Sequence, residues 1–403
     1  MKMKKLLALL AAGALSATMA FGLAACDSND GSDEIGALQS IIKELQEQIE
    51  KNKSIAEKSY DKIKYIDANL SDRDCYHGEN FKDAQTWITS LALAAGYDES
   101  AITTQDVTTI SYKSADADLD EAFSAVKSYE TDGKLYKRSG RSYVEDPEGE
   151  YVKASVVTEN IIISKPGKSE KQIIVGSHYD GDGTGDNGSG VALNLTMLEK
   201  LVNVATPYTI QFVFFTAEEY GCYGSTAYAN AMTDEEVANT LYMINLDSLV
   251  CGDYCYIYGG VQNDDEKIVT QTEAYDNAMA IAKSLGLDFH SNPWTWDNVE
   301  PDPENDTGLP KYASPSTGDW SDHVGFKNKG IKYLYMEATN WEIPGPYNEY
   351  DGYGETVLVG MLMNTTNDYL EYIETYFPGR ILEHLNQFGT LLNALLVQPK
   401  VNF

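Results

Sequence analysis

Between Gln172 and Val397 the chain keeps exchanging one hydrophobic period for another, and few architectures accept that pattern. Gln172-Ile-Ile-Val175, Tyr208-Thr-Ile-Gln-Phe-Val-Phe-Phe215, Leu241–Leu246 and Ile331–Met336 are short and apolar almost throughout, as strands buried on both faces are. Tyr254–Tyr258 reads as a further strand. Between them lie helical segments: Gly190 to about Val202, Gly224–Met232, Glu273–Leu285, and two closing helices over about 356–376 and 380–396. The expected fold class is α/β, with a mixed, mostly parallel central β-sheet flanked by helices on both faces. Sheets of this kind bind ligands at the carboxyl ends of their strands.

Those ends carry an unusual set of side chains. Glu218 and Glu219 stand together just after the run that ends at Phe215, followed by Gly221 and Gly224. Adjacent carboxylates at the end of a buried strand repel each other and are costly to desolvate, so the fold must compensate them. A bound cation is the strongest compensation available. His178 and Asp180 follow another strand, Asp186 opens a helix from a glycine-rich turn, Asp247 ends a third strand, and His323 stands beside Asp322. A carboxylate two residues from a histidine can hold one imidazole nitrogen and present the other to a metal. Each of these positions alone also suits a cap or a turn; their joint order along the chain suits a metal-assisted hydrolytic site.

Five pieces carry a family resemblance: His178-Tyr-Asp180, Gly185-Asp-Asn-Gly-Ser-Gly190, Ala217-Glu-Glu-Tyr-Gly-Cys-Tyr-Gly-Ser225, Asn245-Leu-Asp247 and Ser321-Asp-His-Val-Gly-Phe326. In this order they resemble the co-catalytic di-zinc peptidases of clan MH, which include bacterial secreted aminopeptidases, and the likeness spans roughly residues 155–376. The resemblance implies two Zn2+ ions, one held by His178 and Asp247, the other by Glu219 and His323, with Asp186 bridging them. It also implies Glu218 as general base on a metal-bridging water, Asp180 as the partner of His178, and a peptide substrate trimmed from its N-terminus. The chain departs from the family pattern at Gly185, where an acid is frequent, and at Cys222, where leucine is. A carboxypeptidase or a glutaminyl cyclase of the same fold is the nearer alternative, and a non-catalytic solute-binding lipoprotein the more distant one. The same donors also accept manganese or cobalt.

Ahead of this body, Met1-Lys-Met-Lys-Lys5 and the apolar run to about Ala25 form a secretory signal, residues 1–25. Its end, Leu23-Ala-Ala-Cys26, resembles the lipobox of bacterial lipoproteins, which implies lipidation at Cys26 and an extracytoplasmic protein anchored to the bacterial cell membrane. Residues 26–36 read as a flexible tether, residues 37–105 as a helical region packed on or preceding the body, and residues 106–403 as the zinc peptidase domain. Within the helical region, an amphipathic helix is expected from Ile35 to about Asn69 and a second from Thr86 to Ala95.

Acidity narrows the partners. Against 62 Asp and Glu stand 30 Lys and Arg, three of them in the leader, so no basic face for nucleic acid is available. Four cysteines remain after Cys26, too scattered for a disulfide framework. Cys251 and Cys255 can close a bridge only if Gly252-Asp253 turns the chain back on itself. Residues 288–322 lack periodicity, are rich in Trp, Pro, Asp and Asn, and fall just before His323, which suits an active-site rim. The oligomeric state is left open.

Overall fold

The computed structural model describes residues 53–76, 78–114, 128–131, 134–139, 142–145, 151–297, 312–343 and 354–397, with side chains placed outside 110–155. The leader, Cys26 and the tether lie outside these residues, as does the middle of the 288–322 segment.

Helix α1 (Ile55–Asn69) starts at a capping box, in which Ser54 Oγ accepts from the Glu57 N–H and the Glu57 carboxylate accepts from the Ser54 N–H. Of the amphipathic helix expected from Ile35 to about Asn69, residues before 53 lie outside the described residues, and the described helix starts after Ser54, whose backbone is extended. Helix α2 (Phe81–Ala95) ends at Gly96 in the left-handed conformation. Strand β1 (Ile102–Ser114) follows, then a small antiparallel sheet of β2 (Ser128–Thr131), β3 (Lys134–Ser139) and β4 (Ser142–Glu145). Long β5 (Tyr151–Lys165) returns beside β1 in antiparallel register.

The alternation read from the sequence then unfolds: β6 (Ser169–His178), α3 (Gly188–Leu201), β7 (Tyr208–Phe215), α4 (Tyr223–Ala231), α5 (Asp234–Asn239), β8 (Thr240–Leu246) and β9 (Tyr254–Tyr258). A hairpin of β10 (Val261–Asn263) and β11 (Ile268–Thr270) leads to α6 (Glu273–Leu285). Helix α7 (His323–Asn328), β12 (Tyr333–Thr339), α8 (Leu370–Tyr376) and α9 (Arg380–Val397) complete the described chain. Among the described residues, no helix is long and apolar enough to cross a membrane.

Seven strands form the main sheet in the order β1-β5-β7-β6-β8-β12-β9. Its centre, β7-β6-β8-β12, is parallel, and the outer pairings are antiparallel. Ile173, Val175, Phe212, Phe214, Ile244 and Leu246 face the larger core. Alternate residues Ile174, Val213, Phe215 and Met243 face a second core with Phe326 and Ala229. Both faces are thus covered, which is why these strands are apolar without alternation. Ala56, Ile63 and Ile66 of α1, and Phe81, Ile88 and Ala92 of α2, join the larger core, so residues from Ser54 onward share one compact unit.

One expectation fails for a tertiary reason. Only the last turns of the helix expected over 356–376 form, from Leu370, because the preceding chain spends its polar groups on other segments. Asp253 N–H reaches Glu355 O, Leu362 N–H reaches the Glu355 carboxylate, and Thr184 N–H reaches Asp368 O. Cys251 and Cys255 are free thiols. Gly252 N–H donates to Ala338 O at the end of β12, and Asp253 N–H to Glu355 O.

Candidate metal centre and active site

Because β6, β7 and β8 are parallel neighbours, the residues that follow them arrive at one edge of the sheet. His178 closes β6 and is buried. Its Nε2 lies 3.2 Å from Asp186 Oδ1, 3.3 Å from Asp247 Oδ1 and 3.9 Å from Glu218 Oε2. On the other side Nδ1 is 3.3 Å from the carbonyl oxygen of Asp180, so a proton on Nδ1 leaves the Nε2 lone pair facing the acids. Burial alone would lower the His178 pKa, yet Glu218, Asp247 and Asp186 hold it well above the usual range. A positive charge therefore belongs at this point, on the ring or beside it.

Ligand atoms of His178, Asp186 and Asp247 all lie within 4.8 Å of one another, and all three residues are buried. One imidazole and two carboxylates at that spacing fit a zinc ion that keeps a coordination position open. Asp247 is held from behind: its Oδ2 accepts from Ser321 Oγ at 2.6 Å and its Oδ1 from Ser248 Oγ at 3.2 Å. Ser321 Oγ in turn accepts from Asn245 Nδ2 at 2.7 Å. Although burial pushes the Asp247 carboxyl up, His178 and these hydroxyls bring it below the usual value.

The Glu218-Glu219 corner is built on tight turns. Ala217 and Cys222 both adopt left-handed backbone, and Gly221 N–H and Cys222 N–H both donate to Glu218 O. At Gly224 a Cβ would collide with Thr216 O, so only glycine lets α4 start this close to β7. Asp180, fully buried, accepts the backbone N–H of Glu218 at 3.2 Å on Oδ1 and that of Glu219 at 3.4 Å on Oδ2. One carboxylate thereby ties the loop after β6 to the loop after β7. Burial, reinforced by Asp247, Asp322 and Glu219, pushes the Glu218 carboxyl well above the ordinary glutamate value, with His178 opposing.

The structure thus gathers His178, Asp186, Asp247 and Glu218, and it backs them with Asp180. Glu219 and His323 lie outside the trio. Glu219 Oε1 turns toward Gly181, where a Cβ would come within 2.7 Å of it. His323 is fully buried, its ring stacked on Tyr335 at 5.0 Å and 4.6 Å from Tyr333. Neither of its ring nitrogens makes a hydrogen bond among the described residues, and burial pushes its pKa down to about 4. A neutral imidazole with unused nitrogens is the form that ligates a metal.

Two residues near the site, Arg73 and Asp368, lie outside every sequence motif, and a third, Asp322, lies within one without an assigned role. Arg73 is buried and donates to the carbonyl oxygens of Tyr179, Gly183 and Leu70. Asp368 accepts the N–H groups of Gly185 and Asp186. Asp322 is fully buried beside the trio, and burial, with Asp247 and Asp180 adding, pushes its carboxyl up to about 7. Only Asp322 had a signal in the sequence, its place next to His323. The described ends of the 288–322 segment put Trp294, Tyr312 and Trp320 against Trp341.

A parallel sheet with a buried His/Asp/Asp group at its carboxyl edge defines an α/β protein of the zinc exopeptidase fold. A zinc aminopeptidase from Bacillus subtilis shares it with a TM-score of 0.55 at 17% identity, over 86% of this chain and 96% of that one. A glutaminyl cyclase from an Acidobacteriales bacterium does so with a TM-score of 0.50 at 15% identity, over 85% and 96%. Residues 160–356 match the model of Peptidase family M28. Over 251 residues the chain is 30% identical to the alkaline phosphatase isozyme conversion protein of Escherichia coli (strain K12), covering 56% of this chain and 67% of that protein. The chain belongs to peptidase family M28. It is also 33% identical over 109 residues to the probable leucine aminopeptidase 2 of Aspergillus fumigatus, a match that covers 26% of this chain and 22% of the relative.

Proposed function

We propose that the chain is a zinc-dependent aminopeptidase, and the observation that carries this is the buried trio His178, Asp186 and Asp247 with Glu218 at its rim. In this reading His178, Asp186 and Asp247 would hold one zinc ion, and Glu219 and His323, together with Asp186, would hold a second. Bound zinc supplies Lewis-acid polarisation of the scissile carbonyl and acidifies water towards neutral pH. Glu218 takes the proton of the attacking water and returns it to the leaving amine, a role suited to a carboxyl whose pKa is raised. Asp180 keeps Glu218 and Glu219 in place through their backbone N–H groups. The acids at the rim also suit a substrate that carries a free ammonium group.

Digestion of a peptide library by the purified protein, with and without chelator, tests this reading. Loss of residues from N-termini that stops on chelation supports it. Trimming from C-termini, or conversion of N-terminal glutamine to pyroglutamate without hydrolysis, would replace it with the carboxypeptidase or cyclase alternative.

The same reading places the protein outside the cytoplasmic membrane, anchored through lipid on Cys26 of the Leu23-Ala-Ala-Cys26 motif. Metabolic labelling with a fatty acid decides the point: label on the native chain that is lost in Cys26→Ala is expected, and an unlabelled native chain overturns it.

A further inference from the structure

The loop from Tyr179 to Asp186 carries the proposed metal ligand Asp186 and the His178 partner Asp180, and much of its backbone is held by residues far away in sequence. On one side, Arg73 Nε donates to Tyr179 O at 3.1 Å, Arg73 Nη2 to Gly183 O at 2.9 Å, and Gly181 O accepts from the Arg73 N–H at 3.2 Å. On the other, Asp368 Oδ1 accepts from the Gly185 N–H at 2.7 Å and Oδ2 from the Asp186 N–H at 2.8 Å. Asp368 O also accepts from the Thr184 N–H at 3.0 Å. Both oxygens of one carboxylate are thus spent on the peptide groups that aim Asp186.

The glycines of the turn make room for this contact. A Cβ at Gly183 would overlap both Asp186 O and Asp368 Oδ2, and one at Gly185 would overlap Cys251 Sγ and stand 2.9 Å from Asp368 Oδ1. Neither glycine has left-handed backbone, so close approach is the reason for both. The chain around Asp368 also gives up the helix its sequence suggests, resuming it only at Leu370. Sequence and structure agree that this carboxylate is brought to the turn at some cost.

We infer that Asp368 is a positioning residue for the metal ligand Asp186, gripping its backbone while Arg73 holds the opposite side of the same loop. The inference rests on the zinc reading of the site. Removing a partner that orients a ligand typically weakens metal binding 10- to 100-fold.

The test measures zinc affinity of the purified protein by competition with a chromophoric chelator, beside the thermal midpoint of the zinc-free protein, for the native chain, Asp368→Asn and Gly183→Ala. In Asp368→Asn an amide NH2 meets a backbone N–H, and in Gly183→Ala the new methyl displaces both the Asp368 carboxylate and the Asp186 carbonyl without a change of charge, so Asp368→Asn carries the assignment to Asp368 itself. Both are expected to lose about 10-fold or more in zinc affinity, with KM held near the native value and kcat recovered at high zinc. Native zinc affinity in both variants, with only the zinc-free midpoint lowered, reduces Asp368 to a structural residue and overturns the inference. A native chain that binds no zinc overturns the metallopeptidase reading itself, a result that no behaviour of the variants can produce.

Discussion

At the scale of single residues, the site separates two adjacent glutamates by what their surroundings do to them. Glu218 faces His178 and is crowded by Asp247 and Asp322, whereas Glu219 turns toward Gly181. Glu218→Gln removes the proton acceptor and keeps the shape, so kcat should fall by about 10²–10⁴-fold with zinc content unchanged. Full activity in that variant would remove Glu218 from its role. A different carboxylate governs stability. Glu355 is fully buried, its Oε2 accepts from Leu362 and Met363 N–H, and burial pushes its pKa up to about 8 from 4.5. A group raised in this way is protonated in the folded protein and ionised in the unfolded chain across that window. Its stabilising contribution is complete below the ordinary value and is lost as pH rises through about 8. Glu355→Gln should therefore flatten the decline, matching the native protein near pH 5 and exceeding it at pH 8.5 by on the order of 2 kcal/mol. Urea unfolding at the two pH values reads the difference, and parallel curves would refute it.

Among elements, helix α3 shows how a cap can also be a joint. Asn187 accepts from Gly190 N–H at 3.0 Å, the ordinary work of an N-cap. The same buried side chain donates to Leu246 O at 2.9 Å and accepts from Ser248 N–H at 3.3 Å, fastening α3 to the end of β8. Asn187→Ala should cost about 1–3 kcal/mol, seen as a lower denaturant midpoint at unchanged slope in the presence of chelator. An unchanged midpoint would show that water replaces the side chain at no cost. The elements most legible in the sequence were those with a strong period and clear ends: β7, β9 and α6 fall residue for residue where the pattern puts them. The β10–β11 hairpin was missed because three-residue strands carry too little pattern to register. The 356–369 stretch was misread because its helical period is outweighed by contacts a helix could not make, Leu362 N–H turning back to the Glu355 carboxylate and Asp368 reaching the metal loop.

On the scale of the molecule, two bulk properties follow. Cys75, Cys222, Cys251 and Cys255 are free and buried, and burial pushes every one of their thiols up. They should resist a thiol reagent until the chain unfolds, and reductant should leave the thermal midpoint unmoved. Rapid labelling of the folded protein would contradict this burial. Zinc should raise the midpoint and chelator lower it, because the ion binds the assembled trio and not the open chain. A thousand-fold excess over the dissociation constant is worth about 4 kcal/mol. The sequence by itself determined the layered α/β sheet and the residues at its carboxyl edge, because strand burial and ligand chemistry are written in local periods and residue types. Only the tertiary structure decided which of those residues meet. It drew His178, Asp186 and Asp247 together, left Glu219 and His323 to one side, and brought Arg73 and Asp368 to the loop from opposite ends of the body. The Arg73 and Asp368 contacts to the loop join residues 106 or more positions apart, and no local pattern encodes a hydrogen bond whose partner is fixed only when the chain closes on itself.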